Sequence, residues 1–541
     1  MTKNPQQTAL PVFPRRSYQQ VRAELLAGRE IALLDVREED PHAQAHPLFA
    51  ANLPLGRIEI DAYTKLPRRG VPIVVIDGGE GHDQVAAERL RQLGYTDVAV
   101  FDGGVDGWRA AGGELFRDVN VPSKAFGELV EEENRTPSLA AEEVQALIDA
   151  RADIVILDAR RFDEYQTMSI PGSISVPGAE LLLRARALAP DPATTIIVNC
   201  AGRTRSIIGT QSLRNGGVPN RVAALRNGTI GWTLAGQQLQ HGQSRTYDAE
   251  AGTGGAAAAA ARALAERAGV RRLDVAQLDT LARDDARTTY YLDVRSAEEF
   301  ARGSLPRFRS APGGQLVQET EQFGPVRGAR FVLLDDDGVR ANMSASWLRQ
   351  MNHEVHVVDG AQAADFAGTP AWSAPLPPLP AVDEVDPAQL AQWLAAAPRQ
   401  TVVLDFTSGA NYNRRHLAGA WFALRSDLRA ALAKLPADAR RYVLTCGSSL
   451  LARFAAADLR ALTSLPIFVL AGGTAAWAEQ GLPLETGPSR LASPLIDRYR
   501  RPYEGTDQQR EQMQAYLDWE FGLVAQLGRD GTHGFKVLPP S

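Results

Sequence analysis

The chain repeats its own opening four times. "IALLDVREED" (31–40), "IVILDARRFDEY" (154–165), "TYYLDVRSAEEF" (289–300) and "TVVLDFTSGANY" (401–412) each run through an apolar, strand-like stretch. Each closes on an aspartate: Asp35, Asp158, Asp293 and Asp405. These aspartates lie 123, 135 and 112 residues apart. Solenoid units repeat every 20–50 residues or so, so the longer period marks tandem domains. A length of 541 residues fits three or four domains of roughly 150 residues each.

Two more landmarks recur inside each unit. A helical pattern carries a Leu-Arg pair at 90–91, 213–214, 348–349 and 459–460. Thirteen residues before each leucine stand Asp77, Cys200, Asp335 and Cys446. The chain has only two cysteines, and both occupy this register. Next come "VFDGGVDGW" (100–108), "ALRNGTIGW" (224–232), "VVDGAQAADF" (357–366) and "VLAGGTAAW" (469–477), each a strand, a glycine turn and a helix start. The third lacks the tryptophan. Alternating strands and helices predict parallel α/β units, whose ligands sit beyond the carboxyl ends of the strands. The cysteine loops fall at that edge.

Composition excludes several classes. With 44% hydrophobic and 23% charged residues the chain is an ordinary globular one, and a net charge of −6 gives nucleic acid no electrostatic foothold. The opening "MTKNPQQTALPVFPRRS" has no apolar signal region, and no run reaches the ~18 apolar residues of a membrane span. Two cysteines make neither a disulfide framework nor a zinc site alone, and an unstapled chain suits a reducing compartment. The expectation is a cytoplasmic protein with no metal, cofactor, membrane or nucleic-acid partner.

Linkers part the units. Residues 117–137 join the first two, 247–269 pass from a flexible start into an alanine-rich helix, and 369–387 are proline-rich and semi-extended. In the tail, Met513, Leu517, Phe521, Val524 and Leu527 recur at helical spacing, which predicts a helix docked on a domain of this chain or on another subunit.

The loop "CAGRTRS" (200–206) carries the chemistry. A nucleophilic cysteine must be a thiolate, and a helix start with nearby guanidinium groups lowers its pKa below the free value of about 8.5. Ala201 and Gly202 let the loop curl its N–H groups toward an anion, Arg203 and Arg205 are fork-shaped oxyanion donors, and Thr204 supplies a hydroxyl. "TCGSSLLARF" (445–454) has the same register around Cys446, with Gly447, Ser448 and Ser449 but no arginine inside the loop. It is a candidate second site whose rival reading is a structural thiol. Asp77 and Asp335 cannot accept sulfur, and each is expected to fill its own anion nest.

"NCAGRTRS", the "LLDVR" openings and the "GG…GW" closings resemble the rhodanese (thiosulfate sulfurtransferase) family, in four tandem copies reaching to about Gly487. "SIPGS" (169–173) departs from the family's His-Ile-Pro-Gly-Ala, whereas "HLAGA" (416–420) stays close to it. The resemblance implies rhodanese-like domains at 8–117, 118–248, 270–372 and 381–487, each a mainly parallel sheet flanked by helices, with a helical tail at 488–541. Domains 1 and 3 are then inactive. Cys200 takes the outer sulfur of thiosulfate as a persulfide, Arg203 and Arg205 hold the sulfonate, and cyanide or a thiol, small or on a protein, accepts the sulfur. The order Asp, Cys, Asp, Cys reads as a duplicated inactive–active pair.

Three rival functions are weighed against this. Phosphatases with a related loop place arginine six residues after the cysteine, where this chain has Ser206. A persulfide carrier serving a protein partner, with little thiosulfate turnover, uses the same loop. A redox sensor with a Cys200–Cys446 disulfide needs the two Cα atoms within about 7 Å.

Overall fold

A computed structural model describes residues 12–248, 255–361, 363–367, 372–505, 507 and 509–539. The readings of the N-terminal opening before residue 12, of the flexible linker start at 249–254 and of residues 368–371 lie outside the described residues.

The central strand of each unit explains the rest. Ile73–Ile76, Thr195–Asn199, Arg330–Leu334 and Arg441–Thr445 are buried nearly throughout. Helices cover both faces of such a parallel sheet, so its middle strand reads as a continuous apolar run. Each unit forms a five-stranded parallel sheet with one spatial order: first, fifth, fourth, second, third along the chain. The fourth unit adds a two-stranded antiparallel pair, His416–Leu417 with Leu484–Glu485. In register, Asp158 faces Asn199 and Asp405 faces Thr445, so Cys200 and Cys446 are the first residues beyond the sheet.

A buried ion pair pins the base of three loops. Arg37, Arg160 and Arg295 grip Asp35, Asp158 and Asp293 at 2.5, 2.7 and 2.6 Å. Each guanidinium also donates to a carbonyl eight residues on, that of Ala45, Met168 or Gly303. Thr407 stands in that place in the fourth unit and leaves Asp405 without a cation.

The glycine turn is fixed by close approach. Gly228 sits at φ 53°, and a Cβ there would lie 2.3 Å from the Cys200 carbonyl oxygen. Thr229 N–H donates to that oxygen at 2.9 Å. Gly473 repeats the arrangement against Cys446, at φ 63° and again 2.3 Å. The third unit has Ala361 here, and only a short 3-10 turn, Ala363–Phe366, follows.

For the site, the elements that matter are β1 (Ile154–Asp158) and β2 (Thr195–Asn199) with helices α1 (Val121–Asn134), α2 (Thr204–Asn215), α3 (Arg510–Phe521) and α4 (Leu523–Asp530). The units are fused: one apolar core takes in Leu34 and Val75 of the first, Leu292 and Phe331 of the third, Phe126 of α1, and Leu523 and Leu527 of α4. The tail therefore docks within its own chain, on a stripe that keeps Leu517 and Leu527 of the predicted spacing but not Phe521. Tyr516, Leu517, Glu520, Leu523 and Leu527 are buried, while Phe521 is 55% exposed. Gly522 separates α3 from α4 and shifts the helical phase. Among the described residues, no helix is long and apolar enough to cross a membrane.

Candidate active site

β2 ends at Asn199, whose amide donates to Asp158 at 2.9 Å and ties the loop to the pinned end of β1. Cys200 follows, 2% exposed, with its Sγ 3.4 Å from Ser206 Oγ. Ser206 in turn donates to the Arg203 carbonyl at 2.8 Å, so the loop folds back on itself as α2 begins. Burial pushes the Cys200 thiol up, against the pull of the Arg205 guanidinium and of the Ser206 hydroxyl and N–H; the Glu520 carboxylate adds to the push. The expected lowering of the thiol is not met, because the tail covers the loop and desolvation outweighs the nearby cation.

The two arginines diverge. Arg203 donates to both Glu128 oxygens at 2.8 Å, to Glu131, and to Asn227 at 3.1 Å, and it lies 4.2 Å from the Phe521 ring centre. It clamps the loop to α1 and the tail. Arg205 forms a two-pronged pair with Glu164 at 2.7 and 2.9 Å and faces a cavity of about 480 Å³. That cavity is also walled by Arg161, Arg498, Arg501 and Tyr503. Thr204 packs its methyl where a side chain on Gly127 of α1 would reach (2.8 Å), and its buried hydroxyl has no partner among the described residues.

α3 lies over Ala201 and Gly202, which are buried. A Cβ on Gly202 would sit 3.1 Å from Tyr516 Cε1 and 3.2 Å from Glu520 Oε2. Tyr516 donates to Glu520 Oε1 at 2.8 Å, while Oε2 has no partner among the described residues. Burial, with Glu128 nearby, pushes Glu520 up to about 8. Lys124 of α1 anchors this cover: it pairs with Asp118 at 2.7 Å inside a cage of Tyr503, Tyr516 and Trp519.

Sequence reasoning missed Glu164, Glu520 and Tyr516. A signal for Glu164 existed: Glu164 and Glu299 stand six residues after Asp158 and Asp293, in the two repeats that carry arginine five residues past the cysteine register, Arg205 and Arg340. Arg340 pairs with Glu299 as Arg205 does with Glu164.

The other loops differ. Asp77 fills its nest, accepting from Gly79 N–H at 3.0 Å and Gly81 N–H at 2.8 Å. Asp335 accepts from Ala341 N–H at 2.8 Å, and burial beside Asp337 pushes its carboxyl well up. Cys446 is buried, but Gly447 and Ser448 are exposed, and among the described residues nothing lies within 4 Å of a Cβ placed on Gly447. Ser449 takes φ 67° before the helix Leu450–Leu459, and Arg453 turns away to pair with Glu384. Both cysteines are free.

The model of the rhodanese-like domain matches residues 17–111, 140–235, 274–364 and 386–480. A crystal structure of thiosulfate sulfurtransferase from Pseudomonas aeruginosa is 67% identical, spans 97% of this chain and 100% of its own, and superposes with a TM-score of 0.95. The solution structure of a rhodanese-like domain from Anabaena is 26% identical over 22% of this chain and 89% of its own, with a TM-score of 0.18. A rhodanese-related protein from Thermoplasma volcanium is 23% identical over 19% and 97%, with a TM-score of 0.17. Among curated proteins, none matches. The four matched units and the relative aligned along nearly the whole chain place this protein in the rhodanese family, as a chain of four rhodanese-like domains.

Proposed function

We propose that the chain is a thiosulfate sulfurtransferase working in a reducing compartment such as the cytoplasm, with Cys200 as its nucleophile. The observation that carries this reading is the Cys200 thiol at the end of β2, five residues before Arg205, which walls a guanidinium-lined cavity, in a chain 67% identical to a thiosulfate sulfurtransferase. The Cys200 thiolate attacks the outer sulfur of thiosulfate. The S–S bond breaks, sulfite leaves with the bonding pair, and Cys200 holds the persulfide. Cyanide or a small thiol then attacks the outer sulfur and restores the thiolate, so one hard displacement becomes two.

Arg205 is the cation in reach of both thiol and cavity. Glu164 fixes its orientation, and Arg498 and Arg501 add positive charge for the departing sulfite. Arg203 holds the loop shape. Domains 1 and 3, with aspartate in the cysteine register, do no sulfur chemistry. The cover of Tyr516 and Glu520 favours small acceptors over a docked protein.

The test is steady-state thiosulfate–cyanide turnover. Cys200→Ser lowers kcat by about a thousandfold or more, and Arg205→Met lowers kcat/KM with a larger share in KM. Turnover that survives Cys200→Ser overturns the assignment.

A further inference from the structure

The third domain departs from its siblings in two registers of the repeat. Its opening strand reads "TYYLD" where the others read "IALLD", "IVILD" and "TVVLD". Tyr291 thus takes the register of Leu33, Ile156 and Val403, three buried aliphatic residues. On the neighbouring strand Arg309 lies opposite Leu292, where Ala51, Ile174 and Trp421 lie opposite Leu34, Leu157 and Leu404. Tyr291 and Arg309 wall a cleft of about 630 Å³ between the first and third domains. Thr64, Arg68 and Arg69 of the first domain and Trp372 of the connector belong to the same wall, and none of its residues borders the Cys200 cavity.

The wall holds five arginines and two aspartates, and most of that charge is already paired. Arg68, Arg287 and Arg307 pair with Glu30, Glu354 and Asp279, which lie outside the wall. Asp284 pairs with Arg330 at 2.8 Å, and Asp285 is exposed, where solvent screens it. Arg69 and Arg309 have no carboxylate partner among the described residues. Arg69 lies 3.7 Å from the Tyr63 ring centre and donates to the Tyr95 hydroxyl at 3.1 Å and the Leu66 carbonyl at 3.3 Å. Arg309 donates to the Phe323 carbonyl, and burial pushes its guanidinium down with only Tyr290 opposing. A half-buried cation without a counter-ion favours a bound anion. Hydrogen-bond donors point the same way. Thr64 Oγ1, Arg68 Nε, Thr289 Oγ1 and Tyr291 Oη are buried with no partner among the described residues. Each of them can donate, and buried polar atoms are rarely left unsatisfied.

We propose that this cleft binds an aromatic organic phosphate of mononucleotide size. The guanidinium forks of Arg69 and Arg309 suit phosphate oxygens, and the four buried donors suit the rest of an oxyanion. The cleft falls within the ~300–1,000 Å³ of small-molecule sites, far more than thiosulfate or sulfite fills. The remaining wall supplies apolar surface, from Leu281 to the rings of Tyr63, Tyr291 and Trp372. Trp372 is half-buried and stacks on no other ring among the described residues. An indole in that position is a platform for the ligand's own ring. The site gives the cysteine-free third domain a task of its own, and it stands apart from whatever Cys200 does.

The experiment titrates the full-length protein with ADP by calorimetry, with pyrophosphate as a second probe that lacks the ring. ADP is expected to bind at one site per chain. Arg69→Met and Arg309→Met each raise its Kd about tenfold or more, the loss of a charge-assisted hydrogen bond. Tyr291→Phe keeps the ring and raises Kd about fivefold. Trp372→Ala raises the Kd of ADP about tenfold and leaves that of pyrophosphate within about twofold. Absence of ADP binding overturns the site. Equal affinity in wild type and both arginine variants, in proteins of unchanged melting temperature, overturns its location. Pyrophosphate bound as tightly as ADP overturns the aromatic class. The readout is binding, so an inactive Cys200 neither imitates nor hides any of these results.

Discussion

Asp77 and Asp335 share one register and live differently. Asp77 fills its loop by accepting the Gly79 and Gly81 N–H groups, so Asp77→Ala removes both bonds and costs about 1 kcal/mol locally. Faster hydrogen exchange of the Gly79 and Gly81 amides checks this. Asp335 is held protonated by burial and Asp337. A carboxyl raised in the folded state contributes stability below its ordinary pKa and loses it as pH climbs. Asp335→Asn therefore changes little near pH 3 and stabilises relative to wild type increasingly from about pH 5 toward pH 9, in denaturant titrations at these pH values. Cys200 obeys the same arithmetic in rate. With its thiol pushed up, kcat/KM rises with pH along a limb displaced above that of a free thiol. Glu520→Gln removes a nearby negative charge and moves that limb down.

At the scale of elements, α1 and α3 make the site as much as the loop does. Gly127→Val drives a side chain into Thr204, which sits 2.8 Å from the Cβ position, and Gly202→Val collides with Tyr516. Both lift the cover, and alkylation of Cys200 by a bulky maleimide accelerates at least about tenfold; an unchanged rate contradicts the cover. The strands, the glycine turns and the cysteine register were legible because apolar runs and close-approach glycines are local demands written into each repeat. The cover was only partly legible. Its helix was foreseen, but Gly522 resets the phase, so Phe521 was expected inside and Tyr516 and Glu520 were not. Arg203 read as a substrate ligand because its partners, Glu128 and Glu131, lie more than seventy residues away in a linker.

Over the whole molecule, the paired-duplication reading of the sequence misses how the units meet. The first domain packs on the fourth, where Arg425 grips Glu59 at 2.6 and 2.8 Å and shares Asp458 with Arg89. The second meets the third where Gly178 abuts Gly314. Such contacts join residues hundreds of positions apart and leave no periodic trace. Breaking a buried pair of this kind costs about 3–5 kcal/mol. Arg425→Met should therefore expose the 372–387 connector to limited proteolysis while thiosulfate turnover at Cys200 persists; loss of both would mean that the first–fourth interface supports the distant site. The central claim, sulfur carried on Cys200, is tested most directly by a mass spectrum of the wild-type protein after thiosulfate without reductant, then after cyanide. One sulfur on the tryptic peptide Ala187–Arg203, removed by cyanide as thiocyanate, is the predicted result. An unmodified Cys200 peptide from protein that turns thiosulfate over would contradict it.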